Sequence, residues 1–185
     1  PPLLFDPTGG QQPIRDLDQG FLLCVSRLLP YKNVGAVVQA AAFHPDRQLV
    51  VVGEGPMLST YRAQAPSNVI FLGRVSDAQL RWLYACCDAN ISAGFEDYGL
   101  TPIEALAFGK PSLVLRFGGF LDTVVEGETG LFFDRPDPVS VARAISTLAE
   151  CSFADERLAD HAQRYSIAEF KSKLRRVVAD VAAGS

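Results

Sequence analysis

Apolar residues gather in six short runs, at about residues 21–25, 48–52, 68–72, 89–92, 111–115 and 131–133. The first, FLLCV, is apolar throughout, as suits a strand buried on both faces of a sheet. Between and after these runs the pattern changes to helical spacing. Helices are expected over about 33–43, from just after Pro56 to 64, over 77–87, 101–109, briefly after Gly118-Gly119, and then over 138–150, 156–164 and 167–182. Strands alternating with helices through short loops predict an α/β fold, a doubly wound parallel sheet of Rossmann type. In such a sheet the residues that follow the strands collect on one edge, where ligands bind. Residues 1–20, rich in Pro, Gly, Gln and Asp, read as a linker before a domain over 21–165, with a terminal helical segment over 166–185.

Composition narrows the class. The chain of 185 residues is long enough for a proper core, and its formal charge of -4 argues against a partner held by nucleic-acid phosphates. No run reaches the length of a membrane span and the start has no signal-peptide architecture, so a cytoplasmic setting is expected. Cys24, Cys86, Cys87 and Cys151 contain no C-x-x-C and read as free thiols in a reducing compartment. His44 and His161 lie far from any cysteine cluster, which disfavours zinc. Asp16-Leu17-Asp18 spells D-x-D but precedes the first strand, and it reads as solvated linker rather than a metal site.

The candidate chemistry centres on SAGFEDYGLTPIEALAFGKP, residues 92–111. Glu96 sits in a glycine-flanked loop. Thr101 is expected as the N-cap, Pro102 as the first helical residue, and Glu104 as the partner of Thr101 in a capping box. That leaves two readings of Glu104, a cap or a ligand for polar groups. The helix start there would also favour an anion such as phosphate. Arg27 and Lys32 lie just past the first strand in SRLLPYKN. Gly53 opens a G-x-G whose third Rossmann glycine is replaced by Leu58, Gly73-Arg74-Val75 follows the third strand, and Gly118-Gly119 follows the fifth. Gly109-Lys110 is no phosphate loop, because Glu104 and Pro111 stand at its required positions. Two cations, two carboxylates and glycine turns on one rim suit a nucleoside diphosphate sugar: the cations would stabilise the departing diphosphate, and carboxylates would accept bonds from sugar hydroxyls. No metal is required by this set.

These residues resemble the family 4 retaining glycosyltransferases. Glu96 and Glu104 match the E-x7-E motif, and SRLLPYKN, VVGEGP, NVIFLGRVSDAQL, EALAFGKP, GGFLDTV and GETGLFF follow in the family's order from about residue 21 to 150. EDYG and GGFLDTV look most like the mannosyltransferases of O-antigen and exopolysaccharide assembly. The resemblance implies the C-terminal, donor-binding half of a GT-B fold, whose last helix would cross back to an absent N-terminal domain that receives a glycan or lipid-linked acceptor. It implies a hexosyltransferase using GDP-mannose, without metal or other cofactor. Arg27 and Lys32 would hold the diphosphate, Glu96 would face the donor sugar, and Glu104 would hold the ribose. Gly53, Gly73, Arg74 and Val75 would line the nucleotide pocket, Tyr98, Gly99, Leu100 and Thr101 would complete it, and Gly118 and Gly119 would offer backbone amides. Two departures stand out: Ser92-Ala93 replaces the family's usual Pro-Ser, and Asp122 replaces a usual Glu. The rivals are a non-catalytic binding module, which would tolerate losing Arg27, Lys32 and Glu96, and another GT-B enzyme. A phosphorylase would need a pyridoxal-phosphate lysine, and no lysine here has that context; a UDP-glucose user or an epimerase would share the sheet.

Overall fold

The computed structural model describes residues 5–183. Six parallel strands form one sheet: β1 (Leu22–Val25), β2 (Leu49–Val52), β3 (Val69–Gly73), β4 (Ala89–Ser92), β5 (Ser112–Leu115) and β6 (Gly130–Phe133). Helices connect and follow them: α1 (Val34–Ala40), α2 (Leu58–Gln64), α3 (Asp77–Cys86), α4 (Leu100–Leu106), α5 (Phe120–Thr123), α6 (Pro138–Leu148), α7 (Asp155–Gln163) and α8 (Ile167–Ala183). Short 3-10 turns at Pro30–Lys32 and Ala41–Phe43 bracket α1.

Alternation along each strand feeds two cores. Leu22, Cys24, Leu49 and Val51 point to a layer filled by Val34, Val37, Val38 and Tyr61 of α1 and α2 and by Val141 and Ile145 of α6. Leu23, Val50 and Val52 point to the opposite layer, with Trp82, Leu83 and Tyr84 of α3 and Ala105 of α4. Successive strand side chains face opposite ways, so an apolar residue at every position demands cover on both faces.

The strand order is β3-β2-β1-β4-β5-β6. The chain builds outward from β1 to β3, then returns to lay β4 on the other side of β1, with Leu22 opposite Ala89 and Leu23 opposite Asn90. The loops leaving β1 and β4 therefore diverge in opposite directions. That divergence opens a crevice at the C-terminal ends of the two central strands.

Residues 5–20 carry no regular element, yet they lie along α3. Arg81 Nε donates to the Asp6 carbonyl at 2.7 Å, the Gln12 amide donates to the Ala78 carbonyl at 3.0 Å, and Leu17 is buried. At the other end, α8 buries none of its described side chains, and Ile167, Phe170, Leu174, Val177, Val178 and Val181 form an exposed apolar stripe on it.

Candidate functional site

Two loops meet across the crevice. After β1 the chain makes the Pro30–Lys32 turn and reaches Asn33, which adopts a left-handed φ of 51°. Asn33 Nδ2 donates to the Ala93 carbonyl at 3.0 Å, and the Phe95 amide donates to the Tyr31 carbonyl at 3.1 Å. The loop after β1 is thus stitched to the loop after β4. This brings Lys32 Nζ onto Glu96 Oε1 in an ion pair, with the two side chains 10% and 27% exposed. Lys32 also lies over the Tyr31 ring, and Arg27 Nη2 donates to the Tyr31 hydroxyl at 3.0 Å.

Glycines let neighbouring backbones touch the site. Gly53 has φ 128°, and a Cβ there would fall 1.9 Å from the Ser26 carbonyl oxygen, so only glycine lets the loop after β2 lie against the one after β1. A Cβ on Gly119 would fall 2.2 Å from Tyr98 Cα, while the Gly119 amide donates to the Glu96 carbonyl at 2.8 Å. The Gly118-Gly119 pair backs the Glu96 loop from behind.

Glu104 departs from the expected capping box. The N-cap of α4 is Gly99, in the left-handed region, and the helix begins at Leu100, two residues early. Thr101 is therefore inside the helix, and its Oγ1 bonds Ser92 Oγ at 2.9 Å instead of capping. Glu104 Oε2 accepts from the Tyr84 hydroxyl at 2.7 Å, so the local pairing that explained Glu104 without a ligand is absent. Burial pushes the Glu104 carboxyl above its ordinary range, and the Tyr84 hydrogen bond opposes that rise.

These groups line a cleft of about 910 Å³. From the rim after β1, Arg27 and Lys32 face it; from the loops after β2 and β3, Gly53, Arg74 and Val75 do so. The loop after β4 contributes Glu96, Tyr98, Gly99, Leu100, Thr101 and Glu104. Gly73, Gly118 and Gly119 do not line it. Gly73 accepts from the Gly53 amide at 2.8 Å, and so supports the loop rather than the cavity surface. Tyr31, Glu54 and Asp97, which no motif in the sequence singles out, also line the cleft. Tyr31 could have been found from its place between Arg27 and Lys32 in the turn SRLLPYKN. Asp16 and Asp18 are exposed and lie outside the cleft lining. Among the described residues no three His, Cys, Asp or Glu side chains are grouped to hold a metal ion, the four cysteines are free, and no helix is long and apolar enough to cross a membrane.

Charge of both signs, glycine-held loops and a crevice where the strand order reverses make a site for a polar ligand carrying both anionic and hydroxyl groups. Known proteins place this arrangement. The sequence profile of the family described as "Glycosyl transferases group 1" matches residues 10–165. The D-inositol 3-phosphate glycosyltransferase of Corynebacterium glutamicum strain R is 31% identical over 179 residues, covering 86% of this chain and 43% of that protein. A GDP-mannose-dependent alpha-mannosyltransferase of Corynebacterium glutamicum strain ATCC 13032 is 33% identical over 134 residues, covering 72% of this chain and 30% of the relative. Among solved structures, sucrose-phosphate synthase from Thermosynechococcus elongatus superposes with a TM-score of 0.75 at 24% identity, over 91% of this chain and 47% of that one. The chain thus spans less than half the length of each of these three proteins. Its sheet order, its cleft and the profile match over most of its length agree, and the chain belongs to the group 1 glycosyl transferases.

Proposed function

We propose that this chain is the donor-binding, C-terminal domain of a retaining hexosyltransferase of polysaccharide assembly, transferring mannose from GDP-mannose to a glycan or lipid-linked acceptor. The observation that carries this reading is the Lys32–Glu96 pair beside Arg27 at the reversal of strand order, with Glu104 in the same cleft. Arg27 and Lys32 neutralise the diphosphate and the charge that grows on it as the glycosidic bond breaks. Lys32 holds Glu96 in place through their ion pair, so that its carboxylate supports positive charge developing on the donor sugar. Glu104 accepts the ribose hydroxyls. Gly53, Arg74 and Val75 face the base, with Gly73 setting their loop. Tyr98, Gly99, Leu100 and Thr101 close the floor, and Gly118 and Gly119 keep the Glu96 loop in place. The relatives that use GDP-mannose support the choice of donor. In this reading the reaction is cytoplasmic and metal-independent, and its acceptor is received by an N-terminal domain.

Calorimetric titration with GDP, UDP and ADP and their mannose or glucose conjugates tests this reading. GDP or GDP-mannose should bind selectively, insensitive to chelator, and lose about tenfold or more in affinity in Arg27→Ala and Glu104→Ala, the effect of removing one charge-assisted contact each. Selective UDP binding would replace the donor. No binding of any nucleotide would overturn the donor site.

A further inference from the structure

Tyr84 lies on α3 with no exposed surface, its ring stacked on Phe108 at a centroid distance of 5.7 Å and an interplanar angle of 16°. Phe5 closes the other contact, 6.2 Å from the Tyr84 ring and 6.2 Å from that of Phe108. A buried tyrosine normally finds a partner for its hydroxyl, and here the partner is a carboxylate that lines the cleft, Glu104 Oε2 at 2.7 Å. Glu104 Oε1 has no hydrogen-bond partner among the described residues.

We propose that Tyr84 is a positioning residue for donor recognition: its hydroxyl occupies Glu104 Oε2, fixes the plane of the carboxylate, and leaves Oε1 to accept from a ribose hydroxyl. This rests on the donor-site reading of the cleft and adds the group that makes its carboxylate directional. A carboxylate free to rotate about its last torsion would lose that orientation in each unbound state and recover it at each binding. Tyr84 lowers that cost by holding one oxygen from a fully buried ring packed against Phe108 and Phe5. Its hydroxyl also opposes the effect of burial, which raises the Glu104 carboxyl, and so favours the ionised form that accepts hydrogen bonds. The groups facing Tyr84 besides Glu104 are the thiols of Cys24 and Cys87, both pushed up by burial to about 12 and therefore neutral near neutral pH. The charged groups sharing the cleft with Glu104 are Arg27, Lys32, Glu54, Arg74, Glu96 and Asp97.

The test is calorimetric binding of GDP and 2′,3′-dideoxy-GDP, with UDP and 2′,3′-dideoxy-UDP in parallel, to the whole chain and to Tyr84→Phe from pH 5 to 8. The wild-type chain should prefer the ribonucleotide over its dideoxy form by about tenfold or more, and Tyr84→Phe should lose most of that preference while binding the dideoxy form as the wild type does. The variant should also lose ribonucleotide affinity on the acid side at a higher pH than the wild type, since Glu104 without its donor takes a proton more readily. Equal weakening of both nucleotides in Tyr84→Phe, with an unmoved pH profile, would mean that Tyr84 serves packing alone and would overturn the proposal. A wild-type chain that binds none of the four probes would overturn the donor site and the positioning role together. A wild-type chain that binds ribo- and dideoxy forms equally would overturn the positioning role and leave the diphosphate contacts standing. If Tyr84→Phe unfolds early, Phe108→Leu loosens the same ring without touching the hydroxyl, and a retained ribose preference there separates loss of the bond from loss of the packing.

Discussion

Lys32 and Glu96 stand 64 positions apart in the chain and meet only because Asn33, Phe95 and Tyr31 tie the two central loops together. The sequence named both residues through their places after strands, yet it carried no sign that they would be ion-paired. It erred on Glu104 for a physical reason. T-x-x-E has the spacing of a capping box, but Gly99 can take the left-handed conformation and starts the helix early, which moves Thr101 inside it. Nothing in the local spacing singles out Tyr84, because its bond to Glu104 joins residues 20 positions apart on two different helices. Two predictions follow at this scale. Gly119→Ala drives a Cβ into the Tyr98 backbone and should cost about 2–4 kcal/mol in urea unfolding while lowering nucleotide affinity. Glu104 has a folded carboxyl raised above its ordinary 4.5, so the folded state holds its proton more tightly and loses stability as pH rises from 4.5 through the raised value. Glu104→Gln should remove that loss, leaving the urea midpoint at pH 7 unchanged or higher, even as it weakens nucleotide binding.

Among elements, strands were the most legible. Every expected strand is present within about two residues, because buried parallel strands advertise themselves as apolar runs. The helix α3 was equally plain: Ser76 and Gln79 form a real capping box, each side chain bonding the other's backbone amide. The segment after β1 was less so. Its spacing predicts one helix over 33–43, and the structure has α1 with a 3-10 turn on either side, because Pro30 fixes the first turn and Asn33 turns left-handed before the helix proper. In α7 a histidine that no local pattern marks as structural is buried. His161 is buried against the Thr123 carbonyl, with its Nε2 at 3.0 Å, and burial holds its pKa below the ordinary 6.5. Its neutral form is favoured in the fold, so the stability it contributes is present above 6.5 and is lost as pH falls through that value, where the unfolded chain takes up the proton first. Urea midpoints should drop between pH 7.5 and 5.5 in the wild type, and His161→Gln should flatten that slope. An unchanged slope would place the titration elsewhere.

The whole molecule divides into a sheet covered on both faces and a terminal helix whose described large apolar side chains are exposed. The parallel sheet and its reversal of strand order follow from the regular alternation of elements, which is why the fold and the edge holding the site were predictable while the cleft's internal contacts were not. In contrast α8 exposes its large apolar residues, and in proteins most helical stability comes from packing such a face. Native-state hydrogen exchange should therefore protect the amides of β1, β2, β4 and β5 through global unfolding and leave those of α8 exchanging orders of magnitude faster. Comparable protection of α8 would mean that its apolar stripe is covered in solution. Amide chemical-shift mapping of the chain on addition of GDP shows whether a nucleoside diphosphate binds where the strand order reverses. Shifts are expected only at residues 26–33, 53–54, 73–75 and 94–104, with the 118–119 amides following the Glu96 loop. Saturable shifts centred instead on the opposite edge of the sheet, or on the face between β6 and α6, would contradict binding there.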